Sequence, residues 1–260
     1  MLTRSTSDAK CLSTNSWPDA LKSLRVLLAT ITGLAMLTAC AHTNQKTTFG
    51  PPASGKIYLY GERHGVTQIL DRELELWGVH YKKNNMRDLF VELPYYSAAY
   101  LNLWMRSDND DILNALYADW AGTEIGVPQT KVFYQKIKSE YPDTVFHGTD
   151  VGHQYRTTGA RYLKYLEDHG QKKSEQYSMV QRVIAQGKKY YQKSDPAYRE
   201  NMMSENFILE FDKLIDKDVM GIYGAAHTDA AAMNYISQTV PSMAGQLKSR
   251  YGAAVNSENP

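Results

Sequence analysis

The chain has 260 residues, 43% of them apolar and 22% charged, with 29 basic side chains against 28 acidic ones. This is ordinary globular composition, enough for one sizeable core, and a net charge of +1 gives no electrostatic case for binding nucleic acid. Two cysteines, Cys11 and Cys40, exclude a disulfide-rich scaffold.

The first feature in chain order is a targeting segment. Lys22 and Arg25 precede an apolar run over 26–37, and Leu37-Thr38-Ala39-Cys40 closes it. About a dozen apolar residues are too few for a bilayer, which takes about 20, so the run reads as a secretion signal. Small residues ending at a cysteine resemble the lipobox of bacterial lipoproteins. That resemblance implies cleavage before Cys40 and diacylglycerol on its sulfur, an anchor in a membrane of the cell envelope. Residues 1–39 are then signal and 40–55, with Pro51 and Pro52, a polar tether. Losing Arg4, Asp8, Lys10, Asp19, Lys22 and Arg25 leaves 25 basic against 26 acidic residues, and no free thiol.

Four short apolar runs follow as strands, at 56–60, 88–92 (DLFVE), 144–148 (TVFHG) and 219–223. None alternates cleanly, as expected of strands buried on both faces of a parallel sheet. Val66, Leu70, Leu74, Trp77 and Tyr81 stand at helical spacing after the first run. Further helices are expected at 96–106, 109–120 and 129–140, a longer set over 160–215, and a short one at 230–236. The alternation predicts an α/β fold: a central, mostly parallel sheet flanked by helices, with a helical insertion before the last strand. The domain is expected over 56–245, with a polar tail over 246–260.

Ligands of open α/β sheets sit beyond the carboxyl ends of the strands, and all four runs end in polar residues there. Tyr60-Gly61-Glu62-Arg63-His64 closes the first, Glu92 and Pro94 the second, and His147, Asp150 and His153 the third. The fourth closes with Tyr223-Gly224-Ala225-Ala226-His227, then Asp229. A histidine beside a carboxylate can take a proton from water near neutral pH. Glu92, closing an apolar run, needs a partner such as Arg199 or a metal. Asp195 and Pro196 read as the cap and first residue of a helix. That puts Arg199 in the first turn, where the helix dipole disfavours a cation. Arg199, Met202, Met203 and Asn206 share one face, which should look inward toward polar partners.

The order GExHG, strand-end Glu92, Phe146-x-Gly148-x-Asp150, Arg199-Glu200-x-x-Met203-x-Glu205-Asn206, then Gly224-x-x-His227 resembles one superfamily. It joins the erythromycin esterases, the TIKI/TraB-type proteins and the ChaN-like haem-uptake lipoproteins. The resemblance covers roughly 56–234. It implies that Glu62, His64, Glu92, Arg199 and His227 occupy active-site positions, with Asp150 at a Gly-x-Asp position. The GExH spacing is closer to the ChaN and TIKI members, and the 199–206 helix is closer to the esterases. The implied chemistry is therefore metal-free ester hydrolysis, peptide hydrolysis with a divalent metal held by Glu62, His64 and His227, or haem binding without catalysis. No HExxH supports a single-helix zinc site. In the haem alternative, His153 and the 19 tyrosines are possible axial ligands. The leading expectation is a lipid-anchored hydrolase acting on a small ester, lactone or peptide. His64, oriented by Glu62 or Glu92, is its base, and Arg199 with His227 stabilises the oxyanion or a substrate carboxylate.

Overall fold

The structure is a computed structural model that describes residues 49–258. The signal segment, Cys40 and the tether up to Thr48 lie outside the described residues. The strands are β1 (Ile57–Glu62), β2 (Asp88–Pro94), β3 (Val145–Asp150), β4 (Val219–Gly224) and β5 (Val255–Glu258). They form one parallel sheet in the order β3-β2-β4-β1-β5. Helices α1 (Thr67–Lys83), α2 (Tyr95–Met105), α3 (Asp111–Asp119) and α4 (Pro128–Glu140) precede or follow the first strands. Then come α5 (Ala160–Asp168), α6 (Glu175–Lys193), α7 (Pro196–Phe211), α8 (Ala225–Thr228) and α9 (Met243–Tyr251). The expected parallel α/β architecture is present.

Successive strand residues point to opposite faces, and here both faces are covered. Leu89 and Val91 of β2 join Trp77, Trp104, Trp120 and Ile137 in one apolar cluster. Phe90 joins Phe207, Phe211, Tyr223 and Leu247 in the other, its ring centroid 4.4 Å from that of Phe207. Every residue of β4 is buried, so its sequence could not alternate. The long helical stretch before β4 divides between the two layers. Met179, Val180 and Val183 of α6 belong to the first cluster, Met203 and Phe207 of α7 to the second. As expected, α7 starts at Asp195, whose side chain accepts from Tyr198 N at 3.1 Å, with Pro196 next.

Three expectations are corrected. The tail over 246–260 is not a tail: Met243, Ala244, Leu247 and Tyr251 bury one face of α9, and β5 then pairs with β1 from Ile57↔Val255 to Tyr60↔Glu258. Four residues with only Val255 buried carry too little apolar pattern to signal a strand. No helix forms over 230–236. Asn234 there accepts from Ser237 N at 2.8 Å and Ile236 N at 3.2 Å, a local turn that competes with helix. The described end of the tether is docked, with Ala53 N donating to Asp212 and Arg250 donating to Gly50 O at 2.7 Å.

One edge of the sheet is β3, and Asn102 of α2 covers part of it. Its amide donates to Phe146 O and accepts from Phe146 N, both at 2.8 Å. Among the described residues no helix is long and apolar enough to cross a membrane.

Candidate functional site

Site residues come from four strand ends and one helix. After β1 the chain turns at Gly65, whose φ of +71° and whose contact with Val127 (a Cβ would lie 2.9 Å from its Cγ2) both favour glycine. The turn folds His64 back on Glu62, so that His64 Nδ1 lies 2.8 Å from Glu62 Oε1. The other ring nitrogen, Nε2, lies 3.9 Å from Glu92 Oε2.

Glu92 is the hub. Its Oε2 accepts from Gly224 N at 2.7 Å, and its Oε1 accepts from Arg199 Nη2 at 2.5 Å and lies 3.5 Å from His227 Nε2. Because β2 lies between β3 and β4, its end meets both neighbours: Asp150 on one side, Gly224 and His227 on the other. Arg199 reaches across, donating from Nε to Asp150 Oδ1 at 3.0 Å and from Nη2 to Asp150 Oδ2 at 2.7 Å. This side-on fork is a strong, directional ion pair, and it offsets the unfavourable helix-start position of Arg199. Asp150 also bonds His153 Nε2 at 3.0 Å. His227 is held from behind, its Nδ1 2.7 Å from Oε2 of Glu200, which is fully buried. Glu200 also accepts from Asn234 Nδ2 at 2.9 Å and Met243 N at 2.5 Å.

These contacts set the charge states. Burial disfavours the His64 imidazolium, but its hydrogen bond to Glu62 and the charges of Glu92, Glu62 and Glu124 outweigh it and raise its pKa to about 9. For His227 the same opposition resolves upward, through Glu92 and the Glu200 hydrogen bond. Burial pushes Glu92 and Asp150 toward their neutral forms, yet both are held below the usual carboxylate range. His227, Arg199 and His64 do this for Glu92; Arg199 and His153 do it for Asp150.

The group opens on a cleft of about 270 Å³ whose lining includes His64, Glu92, Asp150, His153, Tyr191 and Arg199. Glu62, His64, Glu92, Arg199 and His227 are therefore brought together, with Asp150 as a sixth member. His227 is not among the cleft-lining residues; it stands behind Glu92. His147 is elsewhere: within β3 it pairs with Phe90, stacks on its ring, and bonds Asp88 Oδ1 at 2.9 Å. Asp229 is exposed and caps a turn through Ala231 N. Asn206 looks inward as expected, but onto Gln186 and Thr149 O rather than the cleft.

A divalent metal does not fit this donor set. The guanidinium of Arg199 already supplies the positive charge between Glu92 and Asp150, and among the described residues no group of three His, Cys, Asp or Glu is arranged to hold an ion. Haem ligation finds no donor in His153, whose two nitrogens are engaged by Asp150 and by Tyr191 Oη at 2.5 Å.

Two acidic residues escaped the sequence reading. Glu200 stands beside Arg199 in the motif with no role assigned to it; its burial depends on α9, which sequence patterning did not reveal. Glu73 reads as one more charge in LDRELELW. It stands three residues after Leu70 and four before Trp77, on the apolar stripe, and that spacing could have found it.

Fold and site together define a parallel α/β protein with a Glu–His–Arg group at the carboxyl ends of its strands. No protein-family model matches the sequence, and no curated protein matches it. Among solved structures, the chain is similar to an erythromycin esterase, a histidine-to-asparagine variant in its open conformation. The TM-score is 0.57 at 10% identity, over 79% of this chain and 70% of that one. A Bacillus cereus protein gives 0.54 at 12% identity, over 80% and 66%. A succinoglycan biosynthesis protein gives 0.51 at 11%, over 78% and 64%. The chain thus spans about two thirds of the length of these structures, and at such identities the likeness is one of fold.

Proposed function

We propose that this chain is a hydrolase of ester, lactone or peptide bonds, held at the cell envelope through a lipidated Cys40. The observation that carries the hydrolase reading is the joint placement of His64 and Arg199 on one cleft, each locked by carboxylates. The lipid anchor rests on residues 26–40 of the sequence, and the choice of ester over other bonds on the fold likeness to an erythromycin esterase.

In its neutral state His64 donates from Nδ1 to Glu62, which leaves the Nε2 lone pair facing the cleft as the base. Nε2 takes a proton from water as the water oxygen attacks the substrate carbonyl. The tetrahedral intermediate then collapses, and the leaving oxygen or nitrogen takes that proton back from the imidazolium. With Nε and Nη2 of Arg199 committed to carboxylates, Nη1 is the nitrogen left to face the developing oxyanion. His227, behind Glu92, holds that carboxylate in place rather than touching substrate. The same carboxylates that orient His64 also hold its proton, so hydrolysis rises with pH toward about 9.

A panel of chromogenic esters, lactones and peptides, assayed with purified protein and a His64→Gln variant, tests this. Loss of the general base should lower kcat by about 10² to 10⁴. Equal turnover by the variant would sink the assignment.

A further inference from the structure

Glu73 of α1 is 2% exposed, and neither of its carboxyl oxygens has a protein partner. An isolated carboxylate in such a place is costly enough that the group takes up a proton instead. Burial, helped by the charge of Glu62, raises its pKa to about 9. Yet a neutral acid without partners still leaves a buried O–H donor and a buried carbonyl acceptor unsatisfied. In a core otherwise filled with Leu, Trp and Phe, leucine would pack better.

What lies in front of Glu73 explains the choice. A cavity of about 30 Å³ is walled by Glu73, Glu62, His64, Glu92, Thr130 and Tyr134. Thr130 Oγ1, from α4, is likewise buried without a partner. Water needs about 10–15 Å³ of such space and two to four polar neighbours, and this cavity offers both. The other five are the titratable and polar groups that line the cavity with Glu73, from β1, β2, α4 and the turn after β1. Of the Glu62 carboxylate, Oε1 is already taken by His64 Nδ1, 2.8 Å away.

We propose that Glu73, as a neutral carboxylic acid, is a positioning residue for the Glu62–His64 pair, donating its proton through a water in this cavity to Glu62. Thr130 gives the water a further partner. The inference deepens the hydrolase reading and rests on Glu62–His64 being the working pair. Glu73 itself touches no substrate. Its donor draws charge from Glu62 and keeps the carboxylate facing His64 Nδ1. Replacing the acid by an amide preserves a donor of the same reach; replacing it by leucine removes the donor and keeps the volume.

The experiment compares wild type, Glu73→Gln and Glu73→Leu near neutral pH. The His64 Nδ1 proton is read by NMR and assigned by its loss in His64→Gln; the carbonyl stretch of a protonated carboxyl is read by infrared. The infrared band should be present in wild type and missing from both variants. The Nδ1 proton should stay in place in Glu73→Gln and move or broaden in Glu73→Leu. Where a substrate is turned over, Glu73→Leu should lose about tenfold or more in kcat with KM little changed, as for a misplaced base, and Glu73→Gln should restore it. An absent band in wild type, or an Nδ1 proton that Glu73→Leu leaves untouched, overturns the proposal. If the spectroscopy behaves as stated while no substrate is hydrolysed, the positioning role stands and the hydrolase reading falls.

Discussion

Replacing Arg199 by methionine tests the centre of the site without needing a substrate. The aliphatic stem is kept and the guanidinium is lost, with its bonds to Asp150 at 3.0 and 2.7 Å and to Glu92 at 2.5 Å. Two buried carboxylates then face each other across the strand ends. Breaking a buried ion pair from one side costs about 3–5 kcal/mol. The lower end applies here, because His64 and His227 remain beside Glu92 and share its charge. For a domain of this size each kcal/mol moves Tm by about 2–4 °C, so a fall of about 6–12 °C is expected. The effect also has a pH signature. Glu92 and Asp150 have depressed pKa values in the folded protein, so they contribute stability above the ordinary carboxylate range that is lost as pH falls through their folded values. Without Arg199 those values rise, and much of that contribution is already gone. Urea unfolding at neutral and at mildly acidic pH should therefore show a large deficit that narrows on acidification. A deficit under about 1 kcal/mol, or one equally large in acid, would refute the reasoning.

Alkaline pH should act in the opposite sense. His64 and Glu73 both have folded pKa values raised to about 9, from 6.5 and 4.5. Stability from His64 is full below 6.5, that from Glu73 below 4.5, and both are lost as pH rises through about 9; thermal melts of Glu73→Gln should show a shallower decline than wild type. Gly65→Ala should cost about 1–2 kcal/mol from its left-handed backbone alone, with more from the contact to Val127, measured by urea unfolding. Asn102→Ala removes two hydrogen bonds from the edge strand and should cost about 1–3 kcal/mol. Light scattering should then show self-association through the uncovered β3.

Much of this protein is legible along the chain. The apolar runs that do not alternate, the helical stripe from Val66 to Tyr81 and the Asp195-Pro196 helix start are properties of contiguous residues. So is the habit of each strand to end in polar groups, which singled out Glu62, His64, Glu92, Asp150 and His227. What no local pattern carries is which of these groups meet. The strand order β3-β2-β4 sets Glu92 between Asp150 and Gly224, and that order is fixed by long-range packing on two faces. The same packing decided that β5, with one buried residue, joins the sheet, and that Glu200 serves His227. It also turned Glu73 from one charge among many on α1 into a partnerless acid behind the cleft, because the character of a carboxyl follows its surroundings, and these are assembled by α4, β1 and β2 from distant parts of the chain.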